Sequence, residues 1–471
     1  MPQLSKKGIE LPTSPIRKLI VFSEKAKKNG IEVLHLNIGQ PDISAPKEAI
    51  KAVTNSNLDL LPYGPSQGAL SYREKLVEYY SKHEIAIATD DIIVTTGASE
   101  ALTFALNVIC DAGDEIIIPE PFYANYNGFA SAASVSVIPV ISEFNSQFQL
   151  PALENINEKI NPKTKAILLC NPSNPTGYVY SKKEIDTLCE LTIKHDIFLI
   201  VDEVYREFIH DGDPHYSVLS NEKYGQHTVM IDSVSKRYSM CGARVGSLVS
   251  KNKILIQNVL KFAHLRLSPP TFALMASEAA LSAPESYLEG VIKEYTARRN
   301  ILIKELEQIP NVEVSHPMGA FYCIVKLPVK NAENFSKFLL TDFSLDSQTV
   351  MLAPAKGFYS SPNMGLNEVR IAFILDQKKL ILAATILKKA LEAYKKFVSW
   401  NMVRFEENIS LKPYNTFGIE AQTKYFYKIT NSHELKEIIS RNQNIPFRVL
   451  GGGSNVLFTE NFKGLTLLIA N

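Results

Sequence analysis

The chain has 471 residues, enough for two or three domains, and its 45% hydrophobic and 21% charged content is that of an ordinary globular protein. A formal net charge of +1, no apolar run near membrane-span length and no signal-peptide pattern predict a cytoplasmic protein without a nucleic-acid or membrane partner. Five scattered cysteines without CxxC spacing, and nine histidines without HExxH, speak against a disulfide framework and against a zinc site.

From about Thr89 to Ser250, short apolar runs alternate with helical patterns. DDIIVTTGASEALTFALNVI predicts a strand, a glycine turn and a helix. GDEIIIPEP, SVSVIPV, TKAILLCNPSNPTG, DIFLIVDEVY and TVMIDSVSK predict strands, mostly buried, each ending in a polar or Gly/Pro loop. This alternation predicts an α/β domain with a mostly parallel sheet, whose ligand crevice lies at the carboxyl ends of the strands. Gly97 to Ser99, Asn174, Asp202, Tyr205 and Lys236 fall there. After about Tyr295 the pattern changes to a smaller α+β domain. A helix (TARRNILIKELEQI) precedes strands around Val312–Val314 and Phe321–Val325. A helix over Ala332–Leu340, a strand near Val369–Phe373 and a last helix over Gln377–Phe397 follow. Around Val398–Asn408 the register breaks. The predicted division is therefore 1–45 (an arm belonging with the small domain), 46–294 (large domain), 295–398 (small domain) and 399–471 (a separate tail).

The polar residues at the strand ends have a common chemistry. Asp202 closes an apolar strand, where a buried carboxylate is costly unless a cation meets it. Lys236 ends another such run, and a desolvated lysine is a nucleophile for a carbonyl. GASEA, between strand and helix, offers backbone N–H groups to an anion. Ser233 and Arg244 flank the lysine and can complete that anion site, the arginine bidentately. Taken singly, each residue has a plainer role: Asp202 as a cap, Arg370 as an ion-pair partner, Tyr63 and Tyr123 as core or rim aromatics, Lys236 as a solvated side chain. Taken together they suit one ligand, pyridoxal phosphate, which carries an aldehyde, a ring nitrogen to be kept protonated and a phosphate.

Over roughly residues 10–397 the sequence resembles the fold-type I, class I/II aminotransferases. The motifs, in order, are NIGQPD (Asn37–Asp42), YGPSQG (Tyr63–Gly68), TGASEA, NPSNPTG (Asn171–Gly177), VDEVY (Val201–Tyr205), SVSKRYSMCGARVG (Ser233–Gly246) and EVRIAF (Glu368–Phe373). The resemblance implies that Lys236 captures the cofactor and later moves the proton at the substrate Cα. It implies that Asp202 pairs with the ring nitrogen, that Asn174 and Tyr205 bond the ring oxygen, and that Tyr123 stacks on the ring. Ala98, Ser99, Ser233 and Arg244 would hold the phosphate, and Tyr63 would reach the phosphate of a second subunit in a homodimer. Arg370, helped by the backbone at Gly39 and by Asn174, would grip the substrate α-carboxylate. The implied reaction moves an amino group between an L-amino acid, aspartate or aromatic by family analogy, and a 2-oxo acid such as 2-oxoglutarate. Arg17, in the arm near Ile16–Arg17, and the loop near Lys356–Tyr359 are candidates for substrate choice; Arg17 could meet a distal carboxylate, but its expected role is that of an exposed arm arginine. His195 and His210 are expected to be structural or surface residues, and Cys241 a packing residue.

A C–S lyase on the same scaffold would share Lys, Asp, Asn, Tyr and Arg, so the motifs leave that alternative open. A non-catalytic cofactor-binding regulator would carry a basic DNA-binding domain ahead of this fold, where here only a short arm precedes NIGQPD. The tail, with LKPYNTFGIEA (Leu411–Ala421), the helical HELKEIISRN and FRVLGGGSNVLF (Phe447–Phe458), resembles the start of the flavin domain of UDP-N-acetylenolpyruvoylglucosamine reductase. That resemblance covers only the first part of the enzyme. It implies a remnant without reductase activity, with residual FAD binding as the competing possibility.

Overall fold

The computed structural model describes residues 2–11, 17–401, 405–429, 435, 438–439, 442, 445–454 and 456–469. The chain divides into two compact units, Met1–Leu391 and Glu392–Asn471. In chain order the strands of the first unit are β1 (Glu32–His35), β2 (Ile92–Thr95), β3 (Glu115–Glu120), β4 (Ser136–Ile141), β5 (Thr164–Cys170), β6 (Phe198–Asp202), β7 (Thr228–Ser233), β8 (Gly246–Val249), β9 (Glu313–Val314), β10 (Tyr322–Lys326), β11 (Gln348–Met351), β12 (Ala353–Pro354) and β13 (Glu368–Ala372).

Seven of these form one sheet in the order β2-β8-β7-β6-β5-β3-β4. The pairs from β4 across to β7 are parallel, and β8 runs antiparallel to both β7 and β2. The continuous apolar runs are explained by burial on both faces. On β6, Leu199 and Val201 join a core with Tyr72, Leu76 and Tyr80 of the helix Leu70–Ser81 and Leu188 of the helix Lys182–His195. Ile200 projects to the opposite face, because successive strand side chains alternate, and is equally buried. Each such side chain contributes about 1.5–3 kcal/mol relative to exposure.

A second sheet, β12-β13-β10-β9, is antiparallel, and β1 pairs in parallel with β11. The arm thus joins the C-terminal part of the unit through β1. Tyr295, where the sequence pattern changes, lies inside one continuous helix, Glu285–Glu307. Its buried face (Val291, Tyr295, Arg298, Leu302, Leu306) continues across that point.

The tail has its own four-stranded sheet of β14 (Glu406–Ser410), β15 (Gln422–Ile429), β16 (Phe447–Leu450) and β17 (Phe462–Ile469), ordered β14-β15-β17-β16. Leu411, Ala421, Phe426, Leu450 and Phe458 form one of its apolar clusters. Gly451–Gly453 follow β16, as the sequence places a glycine cluster after a strand. Most of the predicted helix HELKEIISRN, together with Asn455 and Ile16, lies outside the described residues. Among the described residues, no helix is long and apolar enough to cross a membrane.

Candidate active site

The carboxyl ends of the parallel strands converge on one side of the large sheet. β6 delivers Asp202 as its last residue, and β7 delivers Ser233. Ser233 caps the one-turn helix Val234–Arg237, which carries Lys236. β2 runs through Gly97 into the helix Ala98–Ile109, whose start has no side-chain cap, so its first N–H groups are open to an anion. From the antiparallel sheet, β10 brings Tyr322 and β13 brings Arg370.

Of the residues singled out from the sequence for cofactor and substrate, all but Tyr63 and the loop Lys356–Tyr359 line a single cavity of about 520 Å³, as do Arg17 and Cys241. Tyr63 stands outside it, 81% exposed.

Asp202 is buried, and its hydrogen-bond partners are neutral donors. The Tyr126 hydroxyl donates to Oδ2 at 2.9 Å and the Val204 N–H to Oδ1 at 3.3 Å. Loss of hydration pushes its carboxyl up to about 6, against those two hydrogen bonds. Such a group is completed by a cation, as a protonated ring nitrogen would be. Lys236 Nζ donates to the Gly39 carbonyl at 2.8 Å and lies 5.8 Å from the centre of the Tyr205 ring. The Tyr205 hydroxyl shares a 2.7 Å hydrogen bond with that of Tyr322, and burial holds its phenol well above the usual range.

Arg370 is 1% exposed and lies over the Tyr322 ring at 4.3 Å and the Phe358 ring at 4.9 Å. Nη1 donates to Asn174 Oδ1 at 2.9 Å, Nη2 donates to the Asn37 carbonyl, and Nε has no hydrogen-bond partner among the described residues. Burial lowers its proton affinity. A buried guanidinium with an open donor, facing a cavity, is suited to a carboxylate.

At the other end, Arg244 sits in a left-handed backbone turn (φ 57°) and donates to the Cys241 carbonyl at 2.9 Å. A Cβ on Gly97 would collide with the end of its guanidinium, so the glycine lets this cation approach the helix start. Ser233 Oγ donates to the Val245 carbonyl at 2.7 Å and accepts from the Ser235 N–H at 3.1 Å. Tyr123 stands edge-on to Tyr126, with ring centres 5.4 Å apart.

Sequence reasoning missed Tyr126, Tyr322 and Ser235. Tyr126 had a weak signal, three residues after Tyr123 and so one helical turn away. Tyr322 had none, since its contact with Tyr205 spans 117 positions. Ser235 lines the cavity as Ser233 does. His195 bonds Asn157, and His210 is held between Thr296 and the Ala320 carbonyl, outside the cavity lining. Cys241 Sγ, 3.8 Å from Lys236 Nζ, donates to the Ser235 carbonyl at 3.1 Å.

A doubly layered fold with a lysine, a buried carboxylate, an anion-binding helix start and a buried arginine around one cavity defines the pyridoxal-phosphate-dependent transferases. The family model "Aminotransferase class I and II" matches residues 31–387. Aspartate aminotransferase of Pyrococcus horikoshii is 31% identical over 399 residues, covering 83% of this chain and 98% of the relative. Aromatic-amino-acid aminotransferase 2 of Thermococcus litoralis is 29% identical over 394 residues, covering 81% and 96%. Among solved structures, aspartate aminotransferase from Thermus thermophilus with maleate superposes with a TM-score of 0.74 at 25% identity, covering 84% of this chain and all (100%) of that one. The chain belongs to the class I and II aminotransferases and is a pyridoxal-phosphate-dependent transaminase.

Proposed function

We propose that this aminotransferase takes a dicarboxylic amino acid, aspartate first, with an aromatic amino acid as the next candidate and a 2-oxo acid such as 2-oxoglutarate as acceptor. The observation that carries the site assignment is Asp202, a buried carboxylate with neutral partners in the same cavity as Lys236. Pyridoxal phosphate, when bound, supplies an aldehyde for amino groups and a protonated ring that accepts the electron pair released at the substrate Cα.

The protein's residues do the rest. Asp202 holds the proton at the ring nitrogen. Ala98, Ser99, Ser233 and Arg244 hold the phosphate, and Tyr123 covers the ring. Arg370 fixes the α-carboxylate, and Asn174 ties that grip to the ring oxygen, since it bonds Arg370 directly. Lys236, with its Nζ as a free amine, would take the proton from the substrate Cα and would hand it on to the carbon that carries the cofactor's aldehyde. The Gly39 carbonyl, 2.8 Å from Nζ, keeps the amine over the site during that exchange.

The substrate class is supported by Arg17, a third guanidinium in the cavity lining beside Arg244 and Arg370, whose charge suits a distal carboxylate. A homodimer is supported by Tyr63, which is exposed among Leu60 and Leu61 on the same segment and would reach a neighbour's phosphate. The domain division 1–45, 46–294, 295–398 and 399–471 is kept as part of this proposal. The tail is read as a reductase-like remnant without activity of its own.

A single-turnover scan tests the function. Protein loaded with pyridoxal phosphate is mixed with one amino acid at a time, without oxo acid. Conversion of the cofactor's visible band to that of its amine form, fastest with aspartate, is the expected result. Ammonia release without conversion would instead make the protein a lyase. Lys236→Ala should abolish turnover and leave the denaturation midpoint near the native value; substantial residual transamination would refute the role given to this lysine.

A further inference from the structure

Arg237 follows Lys236 in the chain, is 2% exposed and does not line the cavity. Its guanidinium is held on several sides. Nη2 donates to both carboxylate oxygens of Asp232, at 2.9 and 2.7 Å. Nε donates to Glu207 at 3.1 Å, and the Tyr79 ring lies 4.1 Å from the guanidinium carbon. Asp232, 1% exposed, also accepts from the Tyr80 hydroxyl at 2.7 Å and from the Ser233 N–H at 2.8 Å.

The helix that carries Lys236 has four residues, Val234–Arg237. Helices shorter than about 12 residues do not hold themselves, so its pitch is set from outside. Asp232 touches both ends of it, through the Ser233 N–H at the cap and through Arg237 at the last position. Glu207 lies two residues beyond Tyr205 and ties the same guanidinium to the segment that carries Asp202 and Tyr205.

We propose that Arg237, Asp232 and Glu207 form a clasp whose role is to position Lys236, fixing where Nζ stands relative to Asp202 and Tyr205. A buried ion pair of this kind adds little to stability compared with apolar packing, because both charges lose their hydration. Its forked geometry does define direction, which a helix of one turn lacks. Arg237 is thus a positioning residue that acts through its neighbour. The proposal rests on Lys236 being the lysine that captures the cofactor.

The test uses full-length wild type, R237K and R237M, each freed of cofactor and then mixed with pyridoxal phosphate. Growth of the visible band gives the capture rate. Borohydride reduction and peptide mapping identify and count the lysine captured. The kcat and KM are then measured per trapped site, with the amino acid that reacts fastest in the single-turnover scan. R237K keeps the charge and the reach but loses the fork. Capture and kcat are expected to fall roughly tenfold in R237K and roughly a hundredfold in R237M, with KM unchanged. A lowered denaturation midpoint with native capture rate and native kcat per trapped site would overturn the proposal, leaving the clasp as a cross-link. If R237M does not fold, R237K decides alone. Trapping of wild type at a lysine other than Lys236 would overturn the underlying site assignment instead.

Discussion

Asp202 shows how burial and function are joined in a single side chain. Its carboxyl is pushed up to about 6 from an ordinary value of 3.8, mainly by loss of hydration. Between those values the folded, cofactor-free protein keeps a proton that the unfolded chain has released. The share of stability that Asp202 contributes therefore falls as pH rises through this window, by up to about 3 kcal/mol, while the buried His210 and His215, whose proton affinity is lowered by loss of hydration, act in the opposite direction. Asp202→Asn should remove that share, so the difference between wild-type and variant urea midpoints should change between about pH 4 and about pH 7; the same variant should lose most of the turnover rate, because nothing then keeps the ring nitrogen protonated. A native slope in the variant would mean that another group carries it. Arg17 is tested at the same scale. Arg17→Ser should raise KM for aspartate roughly tenfold or more, the loss of one charge-assisted hydrogen bond, and leave KM for an aromatic amino acid unchanged. Equal changes for both substrates would remove Arg17 from substrate choice. Asp202 and Lys236 were legible in the sequence because each stands at the end of an apolar run, in a motif of fixed spacing. Tyr126, which supplies the shorter of the two hydrogen bonds to Asp202, was not, because a buried tyrosine at helical spacing looks like any core aromatic.

At the scale of elements, the site is a meeting of strands, a short helix, a helix start and loops that belong to three different sheets. The order of β2 through β8 could be anticipated only in part. The buried parallel strands announce themselves as apolar runs, but nothing local says that β8 turns back antiparallel between β2 and β7. The short strands β11 and β12 left no periodic trace, since four and two residues are too few for one. The segment Ile38–Gln40 is the most constrained of these loops. The Gly39 carbonyl receives Lys236 Nζ, while the Tyr322 hydroxyl occupies the space a Cβ would need. Gly39→Ala should therefore either break the Tyr205–Tyr322 hydrogen bond or lift the segment from Lys236. Overpacking of this kind costs about 1–3 kcal/mol. The expected outcome is a lowered denaturation midpoint together with a lower kcat. Tyr322→Leu in the same background should restore part of the midpoint, since the clash is with the hydroxyl oxygen and with the ring carbons beside it. Absence of any rescue would show that the strain lies elsewhere in the loop.

For the whole molecule, the question is what the tail contributes. All residues that line the cavity lie between Arg17 and Arg370, within the first unit, and that unit has its own core around the seven-stranded sheet. The second unit has a separate sheet with β14 and β16 at its edges, and Phe447 and Val449 on β16 are exposed. An apolar edge strand of this kind invites pairing with other chains. A chain ending near Ser399 should keep native kcat and KM and the native cofactor content. It should also keep the proposed dimer, because Tyr63 and the exposed apolar residues beside it belong to the first unit. Sedimentation of the two forms at matched concentrations should then show higher-order association only in the full-length protein. Flavin absorbance that co-purifies with the full-length protein, and is lost with the tail, would give the glycine cluster Gly451–Gly453 a ligand and refute the remnant reading. Loss of transaminase activity in the shortened chain would refute the independence of the two units. Retention of activity, with no flavin in either form, would leave solubility and self-association as the properties the tail controls.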